Sequence, residues 1–106
     1  MTATATLAER RTEAVRLLEA ALQQEGLSLL QEQVDVAERA VVRLRDDLIE
    51  RLKAEPGSAE QRAALKQVNV SLSLIVSVEY PATGIQRKAL EQAVEALRGL
   101  AADHTR

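Results

Sequence analysis

Cysteine, tryptophan and phenylalanine are all missing from these 106 residues, and tyrosine, histidine and methionine occur once each. Without cysteine there is no disulfide framework, no thiol nucleophile and no thiolate metal site. The one histidine, His104, stands third from the last residue, outside any helical pattern. A phosphotransfer histidine in mid-helix is therefore missing, and so are the Glu-x-x-His pairs of di-iron bundles. The glycines are few and scattered, so no Gly-rich loop is available to cradle a phosphate. No apolar run approaches the ~20 residues that cross a bilayer. These absences leave no catalytic residue, metal ligand or cofactor site to nominate.

Charge of one sign is also missing. The chain has 14 basic and 16 acidic residues, a net charge of −2, with the two signs interspersed. No basic block suggests nucleic acid, and the polar faces mix Glu with Arg instead of being basic, as a membrane-surface helix would require. The opening residues, MTATATLAERR, lack the basic-then-apolar order of a signal peptide. The expectation is a cytoplasmic protein that binds neither nucleic acid nor membrane.

What is present is aliphatic. Apolar residues make up 46% of the chain, almost all Ala, Leu and Val. Ala and Leu are the best apolar helix formers, whereas sheets favour aromatic and β-branched residues, so the composition leans helical. Helix punctuation recurs four times. Thr6-Leu-Ala-Glu9, Ser28-Leu-Leu-Gln31, Ser58-Ala-Glu-Gln61 and Thr83-Gly-Ile-Gln86 all match the capping box, in which a hydroxyl and a Glu or Gln three residues later satisfy each other's backbone N–H. Gly26, Pro56-Gly57 and Pro81 supply the stops.

Apolar faces fall between these marks. Leu7, Ala14, Val15, Leu18, Ala21 and Leu22 share one side of the first helix. Leu30, Val34, Ala37, Val41, Leu44, Leu48 and Leu52 form the seam of the second. Continuing through Gly26 as one rod would rotate the stripe by roughly 120°, so a hairpin is expected there. In the last helix, Ile85, Ala89, Leu90, Ala93, Val94, Ala96, Leu97 and Leu100 fill one half of the circumference. The stretch from Val68 to Tyr80 alternates like a strand. Nothing else in the chain could pair with a lone strand, however. On a helical wheel Asn69, Ser73 and Ser77 instead form a narrow polar stripe with aliphatics around the remaining arc, the pattern of a helix buried on most sides. The expected architecture is an all-α, up-down antiparallel four-helix bundle with short connections. It forms a single domain over residues 1–106, with helices at about 7–25, 29–54, 59–79 and 84–101.

Two regions stand out as candidate sites. The first joins the third and fourth helices and contains Glu79, Tyr80, Thr83, Gly84, Arg87 and Lys88. Glu79 is expected on the apolar side of the third helix, and Tyr80 is the one aromatic. Arg87 and Lys88 occupy a first turn whose macrodipole disfavours cations. The bland account has Tyr80 plugging the bundle end and Glu79 pairing with Arg87 or Lys88. The functional account is an anion site, or a docking point for an acidic partner residue. The second region is apolar surplus on the second helix, where Leu29 and Val36, and Val42 and Ile49, form two stripes off the main seam. Paired stripes need cover, and the third helix, apolar over most of its circumference, has the same need. The carboxylates Asp46, Asp47 and Glu50 are expected in surface pairs with Arg43, Arg45 and Arg51.

The leading expectation is a non-catalytic protein–protein interaction module, a homodimer or a binder of a helical partner, working through apolar helix faces. The alternative is a small all-helical enzyme or binding protein for an anionic, carboxylate metabolite, since eleven Arg to three Lys would suit bidentate carboxylate binding. That alternative requires an internal pocket lined by at least two Arg or Lys, for which Arg11 is the nearest inward candidate and Arg51 borders its seam.

Overall fold

The computed structural model describes residues 6–23, 27–79 and 84–100, with the backbone alone at 27–30, 84 and 85. Thr6 opens the first helix with the full reciprocal exchange. Its hydroxyl accepts the Glu9 N–H at 3.1 Å, and the Glu9 carboxylate accepts the Thr6 N–H at 3.0 Å. The bond from the Thr6 backbone, then that from its side chain, holds the Glu9 carboxyl below its ordinary 4.5. Four helices follow, α1 (Leu7–Leu22), α2 (Leu27–Ala54), α3 (Ala59–Val76) and α4 (Gly84–Arg98), and no strand occurs among the described residues.

The other expected caps differ. Ser58 accepts the Gln61 N–H at 3.2 Å, but the Gln61 Oε1 is buried without a partner, so only half of that box forms. Because α2 reaches back to Leu27, Ser28 falls inside its first turn and not ahead of it. Thr83 lies outside the described residues, and Gln86 turns its Oε1 to the Glu79 N–H at 3.0 Å. The helices are also shorter than expected at three ends. Gln23 caps α1 with its N–H on the Ala20 carbonyl. Ser77 caps α3, its hydroxyl donating back to the Leu74 carbonyl at 2.7 Å. At the end of α4 the Gly99 N–H makes the last turn's bond to Glu95.

Polar contacts between helices fix the topology. Arg10 and Asp47 meet at 2.9 Å although 37 positions separate them. In one continuous helix they would be ~55 Å apart. The chain therefore folds back between α1 and α2, as Gly26 suggested. Within α2, Asp46 pairs with Arg45 at 3.1 Å and Glu50 with Lys53 at 3.0 Å. Each helix packs on the next in the chain, and α1 closes the ring on α4. That closing seam gathers at the C-terminal end of α1: Arg87 donates to the Leu22 carbonyl, and Arg98 pairs with Glu19.

Aliphatic side chains fill the centre. Leu7, Leu18, Leu44, Leu48, Leu90 and Leu97 are the largest with essentially no exposure. The expected faces of α1, α2 and α4 reach this core, with Val15, Leu22 and Ala89 packed at its edge; Leu52 and Ala96 are half-buried outside it, and the side chains of Leu30 and Ile85 lie outside the described ones. Ala40 joins the seam of α2, and Ser71 is the one fully buried polar residue described. Ser71 sits on the α4 side of α3 and donates to the Ala93 carbonyl at 2.9 Å.

Candidate functional site

α3 has one buried side and one open side. Ala64, Val68, Ser71 and Ile75 are buried. At about 100° per residue they cluster on one face, which leaves Asn69, Ser73 and Ser77 as an exposed stripe on the opposite face. The expectation that α3 is buried on most sides fails within the single chain. A ring of four helices gives each helix two neighbours, and those cover less than the arc its aliphatics occupy.

Apolar residues therefore flank the polar stripe on both edges. Val70 is 43% exposed and Val76 65% exposed. Beside them Leu65, Leu72 and Leu74 are half-buried against the core. The two edges face different neighbours. Ser71 marks the side of α3 toward α4, and the wheel puts Leu74 and Val70 next round from it. Leu65, Leu72 and Val76 lie on the other edge, toward α2. On α2, Asp47 marks the side toward α1, so Val42 and Ile49 fall on the flank toward α3. Both are half-buried. Val42 is ringed by Asp35, Glu38, Arg39 and Arg43, so the open apolar surface is that of α3. Val36, 37% exposed, lies on the other flank of α2 and is separate from this surface. Nothing of the Leu29 side chain is described.

The connecting segment holds less than the sequence suggested. Tyr80 and Thr83 lie outside the described residues, and Gly84 is the first residue of α4. Glu79 does not project toward the apolar side of α3. It is exposed, because Ser77 ends the helix before Glu79 could take a helical position. Lys88 is exposed as well. Arg87 has a structural task. Its guanidinium reaches the Leu22 carbonyl at the C-terminal end of α1, where no basic residue of α1 itself is placed. A cation unfavourable at the start of its own helix is thus favourable at the end of its neighbour.

The recess between α1 and α4 places Glu19, Glu91 and Glu95 around Arg98, the wrong sign for a carboxylate ligand. Arg62 and Lys66 share a groove, but it lies open along the outside of α3. Arg11 does turn inward, and its Nε is buried without a partner. Among the described residues no group of three or more His, Asp or Glu is placed to hold a metal ion, and no helix is long and apolar enough to cross a membrane. Compared with protein-family models, curated proteins and solved structures, the chain has no significant match.

Sequence reasoning expected surplus apolar surface on the second and third helices but named interface residues on the second alone, so Val70 and Val76 of α3 were missed. The signal was available. An arc of aliphatics wider than two neighbours can cover must leave some of them in water.

Proposed function

We propose that this protein is a non-catalytic interaction module of the cytoplasm that engages an apolar helical surface, either of a partner or of a second copy. One observation carries the reading: Val70 and Val76 stand exposed on either edge of an uncharged polar stripe, with Leu65, Leu72 and Leu74 half-buried behind them. Scattered exposed aliphatics are ordinary on a monomer. Several of them along one open helix face is the form that docking surfaces take.

Site-specific photocrosslinking in the cells that make the protein tests this. A photoreactive residue at Val76 should give discrete protein adducts that the same residue at Gln92, on the exposed side of α4, does not give. Equal labelling from both positions would show that the α3 face meets only solvent and would end the reading.

A further inference from the structure

We propose that the occupant of the α3 face is a second copy of this chain, laid antiparallel across a two-fold axis at Ser73. This inference rests on the reading of α3 as a docking surface, and three observations specify the occupant.

The first is a mirrored pair of edges. About Ser73, within residues 69–77, the apolar edge residues are mirrored, Val70 with Val76 and Leu72 with Leu74, whereas Ser71 is matched by Ile75 and Asn69 by Ser77. In an antiparallel pair centred there, a residue ahead of Ser73 comes level with one equally far behind it in the other copy. At ~1.5 Å per residue, Val70 enters between Leu74 and Ser77 of the second copy, along one edge. Val76 enters between Leu72 and Asn69 of the second copy, along the other. The edges interleave as knobs and holes. Ser73 meets its own equivalent on the axis, and a hydroxyl both donates and accepts, so two identical serines can bond. An isologous pair needs such self-complementary edges, each fitting its own copy.

The second observation is the missing charge. From Gln67 to Val78 twelve consecutive residues carry none, the longest such run in a chain that is 28% charged. A two-fold axis sets every group near it against its own copy, so like charges there would repel. The third is where charge resumes. Lys66 and Glu79 bracket the run, and both are exposed. In an antiparallel pair the Lys66 end of each copy meets the Glu79 end of the other, so opposite charges gather at each end. Such rim charges set register more than affinity. One helix face buries less than the ~800 Å² per partner of a standard interface, so the dimer should be reversible and concentration-dependent.

The absence of cysteine makes the register directly testable. Full-length protein should sediment as a monomer–dimer equilibrium between low micromolar and millimolar concentration. Ser73→Cys at low micromolar concentration should oxidise to a disulfide dimer roughly 100-fold faster than Gln92→Cys, the advantage of a held pair over a chance encounter. Val70→Asp with Val76→Asp should abolish the dimer while helical circular dichroism is retained, since both positions are solvent-facing in the monomer. A wild type that stays monomeric throughout overturns the proposal. So does a dimer in which Ser73→Cys is no faster than Gln92→Cys. A monomer that still gives Val76-specific adducts to a different protein overturns the two-fold pair and leaves the interaction module standing; a monomer without such adducts removes both.

Discussion

Replacing Ser71 separates two contributions that the α3–α4 seam combines. Its hydroxyl is fully buried and donates to the Ala93 carbonyl at 2.9 Å. A neutral bond of this kind is worth about 1 kcal/mol net. Ser71→Ala loses it, but alanine gains about 0.5 kcal/mol of helix propensity over serine. The Ala93 carbonyl also keeps its own bond within α4. The net loss should be about 0.5 kcal/mol. Ser71→Val loses the same bond without that offset and adds a methyl group where a side chain already touches neighbouring backbone. Overpacking costs about 1–3 kcal/mol, so valine should be destabilising by about 2–4 kcal/mol. Urea denaturation followed by circular dichroism measures both, with an unchanged slope as the check that the transition is the same. In thermal melts the gap should show at roughly 4 °C per kcal/mol. If Ser71→Val proves as stable as Ser71→Ala, there is spare room between α3 and α4, and the close approach inferred from this bond is wrong.

Other substitutions test the polar contacts. Arg11→Met should be neutral or stabilising by up to about 1 kcal/mol, because it removes a buried donor without a partner, whereas Arg10→Met should be destabilising by up to about 1 kcal/mol through loss of the Asp47 pair. Urea titrations that gave these the reverse order would refute both assignments. Arg87→Ala should cost about 1 kcal/mol and speed amide exchange in the last turn of α1, while Lys88→Ala should stay within about 0.5 kcal/mol. Equal effects would mean that Arg87 does not hold the end of α1. Glu9 gives a pH dependence. Its folded pKa lies below its ordinary 4.5, so its charge stabilises the fold above that pH and this contribution fades as pH falls through the lowered value. The stability difference between wild type and Glu9→Gln should therefore shrink below pH 4.5, and a difference that stays constant into strong acid would contradict it.

Legibility differed by position for physical reasons. The cap at Thr6, the break near Gly26, and the faces of α1, α2 and α4 were all readable, because period and punctuation agree there. The helical state of α3 was readable despite its alternation, since a lone strand has nothing to pair with. Its burial was misjudged, because a wheel shows which residues share an arc but not how much of that arc the neighbours cover. Ser71 was passed over as one more polar residue in an alternating run. Yet it lies off the Asn69-Ser73-Ser77 stripe, and that displacement was the clue to its burial. Arg87 could be seen to suit its own helix poorly. That it serves the end of α1 depends on a tertiary contact between residues 65 positions apart, which no local pattern encodes.

The closed ring of four alternating helices has one more consequence. The Pro56-Gly57 turn separates the α1–α2 pair from the α3–α4 pair, and a Cβ at Gly57 would meet nothing within 4 Å, so that turn is an uncrowded place to cut the chain. Two seams span the cut, α2 with α3 and α1 with α4. The two halves, made as separate polypeptides, should therefore restore the helical fold on mixing, more slowly than the intact chain folds, because association must meet the entropy that the turn saves.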